Sequence, residues 1–160
     1  MLAINLGTRP EITNMVPIIL ICGTQSEGYS ILYAEQHSSY EMGPASSEGM
    51  ELLEPKYNLD VGFGTHAAQI GKVMTDFGKS LLEEKPEIVL IHGDTSTALG
   101  GTLASSNFPI KVDHLVTGPR CFTRTMPKES NQGVSGHCGF LAYFLASGRA
   151  LKFGNRGTNS

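Results

Sequence analysis

The sequence predicts an α/β domain, a parallel sheet flanked by helices, and two observations carry that prediction. Compact apolar runs suited to strands buried on both faces, such as Glu87 to Ile91, alternate with segments of helical character. The best strands end in a glycine turn just before a helix, at Gly7 and at Gly93. The 160 residues fit one domain that needs no disulfide or metal to fold. With no internal repeat and no low-complexity linker, no domain boundary is placed inside residues 1–146.

Leu2 to Leu6 reads as the first strand, and the mostly apolar Glu11 to Cys22 as a buried helix after it. Tyr29 to Ala34 reads as a second strand. The Gly, Ser and Pro-containing stretch from Gly43 to Pro55 reads as a loop with one short helical turn. From Thr65 onward, Ile70, Val73, Met74, Phe77, Leu81 and Leu82 recur at helical spacing, leaving Gln69, Lys72 and Asp76 for the other face. That is the clearest helix. Glu87 to Ile91 is a strand, Thr95 to Ser106 a helix, and Ile110 to Val116 a further strand. Residues 147–160, rich in Gly, Asn, Ser and Arg, are expected to fray.

Charge and cysteine usage exclude several function classes. Twelve Lys and Arg against fifteen Asp and Glu give a net charge of -3, and no basic cluster offers a footprint for nucleic acid or anionic lipid. Cys22, Cys121 and Cys138 are odd in number, far apart and without CxxC spacing, which fits a reducing cytoplasm better than a disulfide framework or a zinc cluster. The longest apolar run, Met15 to Cys22, is far short of the roughly 20 residues that span a bilayer, so no membrane anchor is expected. The start of the chain lacks the basic region of an export signal. The five histidines show no metal-ligand spacing. Nineteen glycines, against a common share near 7%, offer loops that approach a ligand closely. The low share of charged residues, 17%, points to poor solubility.

Four motifs could carry chemistry. In Gly7-Thr8-Arg9-Pro10-Glu11, Thr8 and Glu11 stand at capping-box spacing, and Pro10 sits where a first helical turn accepts it. Capping leaves Arg9 unexplained: a fixed cation at a helix N-terminus beside the carboxyl end of the first strand suits a phosphorylated ligand. Gly62 to Ala67 matches a dinucleotide-binding glycine pattern, but it lies outside the first strand-helix unit and lacks the acidic residue that would bind a ribose. Thr65 as a helix cap is the simpler reading. Asp94, between a strand and a helix, either caps that helix or faces the ligand crevice as an acid or base. Cys121, flanked by Arg120 and Arg124, has no identifiable base, so it reads as a buried small residue rather than a nucleophile.

Taken in order, Gly7-Thr8-Arg9-Pro10-Glu11, Gln36-His37, Tyr57 to Gly62, Gly64-Thr65-His66, Lys85-Pro86, His92-Gly93-Asp94-Thr95 and Arg124 to Pro127 resemble the N-terminal half of the non-hydrolysing UDP-N-acetylglucosamine 2-epimerases. The resemblance runs to about His137. It implies a Rossmann-like domain forming the first half of a GT-B fold, whose C-terminal, UDP-binding half is absent from this chain. It also implies a reaction that eliminates UDP across C1 and C2 of the sugar and re-adds it after reprotonation on the other face, without nicotinamide or an obligatory metal. On that resemblance Arg9 would contact the diphosphate, Asp94 would be a catalytic carboxylate, and Gln36 with His37 would line the cleft. Glu129 would be the surviving member of an acidic pair after Pro127.

The same resemblance exposes departures. Asn14 stands where the family has a lysine, and Val116, within His114 to Arg120, replaces a catalytic glutamate. Lys128 stands where the family carries a second acid, and Gln132, directly after Asn131, where it carries the arginine of an Asn-Arg pair. Loss of one acid or base commonly costs about 10² to 10⁴ in rate, so this chain by itself is expected to be inactive, or to need a second chain for the missing half. The alternative expectation is a non-catalytic remnant that binds a nucleotide sugar or a protein, or that self-associates as a homodimer.

Overall fold

The computed structural model describes residues 1–24, 28–35, 56–61, 64–117, 123, 125–139, 141–146 and 149–154. The strands are β1 (Leu2–Leu6), β2 (Tyr29–Glu35), β3 (Tyr57–Asp60), β4 (Ile88–His92), β5 (Lys111–Thr117), β6 (Leu141–Ala146) and β7 (Arg149–Gly154). The helices are α1 (Arg9–Thr24), α2 (His66–Glu84), α3 (Ser96–Ser105) and α4 (Pro127–Cys138). One seven-stranded sheet runs in the order β3-β2-β1-β4-β5-β6-β7. The first six strands are parallel to their neighbours, and β7 returns antiparallel along β6. The predicted parallel sheet flanked by helices is the fold observed.

Strand alternation divides the core into two layers. Ile4 pairs in register with Ile31 and Leu90, and this row packs with Ile12, Met15 and Ile19 of α1. On the opposite face Ala3, Val89 and Val112 meet Val73, Phe77 and Leu81 of α2 and Ala98 and Ala104 of α3. Phe77, predicted for the apolar stripe of the clearest helix, is fully buried.

Local chemistry sets the helix ends. The Thr65 hydroxyl accepts from the Ala68 amide at 3.3 Å, so Thr65 caps α2 as expected. Lys85 terminates that helix in the left-handed region at φ 47°, and Pro86 directly after it cannot continue the helix. Helix α3 is almost wholly buried and built from small residues. The Thr102 and Ser105 hydroxyls turn back to the Ala98 and Gly101 carbonyls at 2.8 and 2.7 Å, which lets polar residues sit under neighbouring elements. Gly7 admits this close approach, since a Cβ there would lie 2.6 Å from Thr97 Cβ.

The end of the chain differs from expectation. Residues 149–154, expected to fray, pair along β6 from Ala146↔Arg149 to Leu141↔Gly154. Only Ser147 and Gly148 separate the two strands in sequence, the spacing and composition of a tight hairpin. Hairpin pairing gives Arg149–Gly154 the backbone hydrogen-bond partners that a tail would lack. The loop expected over Gly43 to Pro55 lies outside the described residues.

Candidate functional site at the carboxyl edge of the sheet

The strand order reverses between β1 and β4, and sheets of this kind form a ligand crevice outside the carboxyl ends of the strands at such a reversal. Strand β1 delivers Gly7, Thr8 and Arg9 to that edge, and β4 delivers Gly93, Asp94 and Thr95. Arg9 is exposed in the first turn of α1, where the helix N-terminus adds its own positive field.

Of the two readings of Asp94, capping is taken over by its neighbour. The Thr95 hydroxyl caps α3 by accepting from the Ala98 amide at 3.1 Å, which leaves the Asp94 carboxylate without a capping role. The Asp94 backbone is held from the side of α4, where the Asn131 side-chain amide donates to its carbonyl at 3.1 Å.

Gly93 is fixed from both directions. Its amide donates to the Leu115 carbonyl at 3.0 Å, and its carbonyl lies 2.7 Å from His114 Nε2. A carbonyl only accepts, so Nε2 of His114 carries the proton and Nδ1 is bare. Gly93 adopts φ +88°, a conformation other residues rarely take.

Two imidazoles are buried at this edge. Burial holds His92 below the ordinary histidine range, the His114 ring adds to the effect, and the Asp94 charge opposes it. Burial likewise lowers His114, with the Gly93 carbonyl and Asp94 acting in the other direction. Both rings are thus neutral at neutral pH. Where helices α2 and α3 begin, His66 Nδ1 stands 3.2 Å from the Ser96 hydroxyl and links the two starts.

Glu11 completes the edge. It is 3% exposed, and its Oε2 accepts from the Gly7 amide at 2.6 Å and the Thr8 amide at 3.0 Å. The second of these is the return bond of the predicted capping box. Burial raises the carboxyl above the ordinary glutamate range; the Gly7 amide, the Thr95 hydroxyl and the Thr8 amide pull it back, and the Asp94 charge raises it further.

The other predicted site residues are placed less centrally. Glu129 lies in the first turn of α4 at 7% exposure, where an acid suits the helix field. Gln36 and His37 lie outside the described residues, as do Arg120, Cys121 and Arg124. Among the described residues no group of three or more His, Cys, Asp or Glu is placed to hold a metal ion. From sequence alone Glu11 has only a capping role, His92 and His114 are ordinary loop or strand-end residues, and Asn131 has no role of its own. Glu11 and His92 carried a signal in their closeness in sequence to the ends of β1 and β4, whereas His114 in the middle of β5 and Asn131 inside α4 carried none.

A sequence model of the UDP-N-acetylglucosamine 2-epimerase family matches residues 20–147. The chain belongs to this family. It is 43% identical over 136 residues to the UDP-N-acetylglucosamine 2-epimerase of Methanocaldococcus jannaschii, covering 85% of this chain and 37% of that protein. It is also 33% identical over 128 residues to the UDP-2,3-diacetamido-2,3-dideoxy-D-glucuronate 2-epimerase of Pseudomonas aeruginosa, covering 79% and 36% of the two chains. The solved structure of the M. jannaschii epimerase superposes with a TM-score of 0.81 at 37% identity, covering 92% of this chain and 40% of that one. The same protein in complex with UDP-GlcNAc and UDP superposes at 0.80 with 42% identity, covering 87% and 38%. The chain thus spans about two fifths of the length of the epimerases it matches, and its sheet is the Rossmann-like N-terminal part of their GT-B fold.

Proposed function

We propose that this chain is the N-terminal half-site of a UDP-N-acetylglucosamine 2-epimerase, binding the nucleotide sugar at the β1–β4 crevice and depending on a C-terminal half for turnover. The observation that carries the reading is the placement of Arg9 and Asp94 at the carboxyl ends of β1 and β4, on either side of the strand-order reversal. Arg9 and the first amides of α1 supply positive charge for a departing diphosphate. In the reaction a base takes the C2 proton while the C1–oxygen bond to UDP breaks, giving a 2-acetamidoglucal. Proton return on the opposite face and re-addition of UDP then give the C2 epimer. Asp94, free of capping duty, is the first candidate for one proton transfer, and Glu129 is the second, carried by family resemblance alone.

Val116 and Lys128 stand where that resemblance expects acids, which supports binding without turnover by this chain. The substrate class is a UDP-linked 2-acetamido sugar, with UDP-N-acetylglucosamine the first choice and the diacetamido uronate of one relative the second. We place the protein in the cytoplasm, its cysteines as thiols. Among the described residues no helix is long and apolar enough to cross a membrane.

The test is to incubate the purified chain with UDP-N-acetylglucosamine in D₂O and follow ligand linewidth and the C2 proton by NMR. Broadening without exchange is expected. Deuterium incorporation at C2 would show that the chain turns over alone, and unbroadened ligand over a folded protein would remove the nucleotide-sugar reading. A second reading, self-association, is favoured by the exposed Leu20 and Ile21 of α1 and by Met126 and Val134 at α4. A strict monomer in sedimentation at rising concentration would remove it.

A further inference from the structure

The Glu11 carboxylate touches both loops of the crevice. One oxygen holds the Gly7 and Thr8 amides directly before Arg9. The other, Oε1, is turned to the opposite loop: a Cβ built on Gly93 would meet Oε1 at 2.9 Å, with Glu11 Cγ and Cδ at 3.4 and 3.5 Å. Oε1 is buried and makes no well-formed hydrogen bond among the described residues, although the Thr95 hydroxyl is near enough to favour the charge. An N-terminal cap needs one carboxylate oxygen at the helix start, and capping residues are ordinarily open to water. A cap alone therefore does not explain a second oxygen turned to the space a Cβ would fill on a left-handed glycine of a neighbouring strand's loop.

We propose that Glu11 is a positioning residue that ties the Arg9 loop to the Asp94 loop, so that a change at one side of the crevice is transmitted to the other. The link runs from the Gly7 and Thr8 amides through the carboxylate to the space beside Gly93 that a Cβ would fill, and the Gly93 amide and carbonyl are in turn fixed by Leu115 and His114. Asp94 is the charged group that bears on Glu11 from the β4–α3 loop, and Arg9 lies two residues before it on α1. Gly93 is the one residue type that fits: any side chain there meets Oε1 and is strained at φ +88°. The functional weight of the link rests on the role proposed above for Arg9 and Asp94, but the link itself does not depend on it.

The test uses the full chain without ligand. Backbone amide shifts of Gly7, Thr8, Gly93 and Asp94 are followed by ¹H–¹⁵N NMR across the acid range, with the Glu11 carboxyl carbon observed in parallel. The proposal expects the Gly7 and Thr8 amides and the Gly93 amide to move with the same midpoint as the Glu11 carboxyl, in wild type and in Asp94→Asn. Glu11→Gln should abolish that shared transition in all three amides. A Gly93 amide that ignores the Glu11 midpoint, or that keeps its transition in Glu11→Gln, would overturn the proposal. The wild-type titration decides the matter even if Glu11→Gln fails to fold. Gly93→Ala gives a second reading: it should shift the Gly7 and Thr8 amides across the strand boundary, and unchanged shifts there would count against the link. Loss of nucleotide-sugar binding in the previous experiment would leave this titration unaffected, so the two ideas fail separately.

Discussion

The two flanks of the strand-order reversal are built to different standards. On the β1–β4 flank, Gly7, Arg9, Glu11 and the His92-Gly93-Asp94-Thr95 run follow the family pattern, and the backbone between them is held by bonds of 2.6 to 3.1 Å. On the β5–α4 flank, Val116 and Lys128 depart from that pattern, and α4 meets the crevice through Asn131 on a backbone carbonyl. The first flank is the one that would hold a diphosphate, and the second the one that would share the proton transfers. The contrast teaches that the family pattern is kept where β1 and β4 present Arg9 and Asp94 and departs where β5 and α4 meet the same edge.

Substitutions at two glycines set the flanks against each other most sharply. Gly7→Ala drives a Cβ to 2.6 Å from Thr97 Cβ and is expected to destabilise by about 1–3 kcal/mol, read as a lower Tm by calorimetry. Gly136→Ala, in α4 with nothing within 4 Å of the added Cβ, is expected to stabilise by about 0.4–1 kcal/mol in the same measurement. Equal effects would mean that the flanks do not differ in packing tightness. For binding, Arg9→Ala should weaken UDP by about tenfold or more, the scale of a charge-assisted contact, while Lys128→Ala should leave the Kd within about twofold. Titration calorimetry with UDP distinguishes the two.

The pH dependence of stability is a smaller effect with a defined sign. His92 and His114 have folded-state values below the unfolded one, so their protonation favours unfolding and stability falls as pH drops below about 6.5. Glu11 has a raised folded-state value, so its contribution is fully present below about 4.5 and is lost as pH rises through the folded value. The two effects oppose each other in mild acid. On acidification from pH 7 toward about 4.5 the urea midpoint should therefore fall more steeply in Glu11→Gln than in wild type. His114→Gln, which keeps a donor toward the Gly93 carbonyl, should flatten the fall.

Much of the fold was legible because its strands and its best helix are written in apolar pattern. Leu2–Leu6 is reproduced without change, and of the predicted stripe Val73, Phe77 and Leu81 form the buried face of α2, whereas Leu82 is exposed on the far side of the helix from that row. Helix α4 was not, because the residues it buries are Glu129, Asn131, Gln132 and Ser135, which give no apolar period. The short β3 was missed as well, since its partner is set by pairing across the sheet, whereas the β6–β7 hairpin was missed despite a local signal, the apolar run Leu141–Ala146 followed by Ser147-Gly148. At the site, position could not choose between capping and chemistry for Asp94; the Thr95 hydroxyl takes the cap, which removes the first of these readings. Glu11 looked like a cap because its second oxygen is turned to the loop of a strand-end glycine more than eighty residues away in the chain, a relation no local spacing encodes.

The most direct test of the account is amide shift mapping of the ¹⁵N-labelled chain on addition of UDP. The account predicts shifts concentrated at Gly7 to Arg9 and at Gly93 to Ser96, with β7 and the outer face of α4 unmoved. Shifts centred on Ser130 to Gly136, or none at saturating UDP with a folded spectrum, would contradict the assignment of the nucleotide crevice to the β1–β4 reversal.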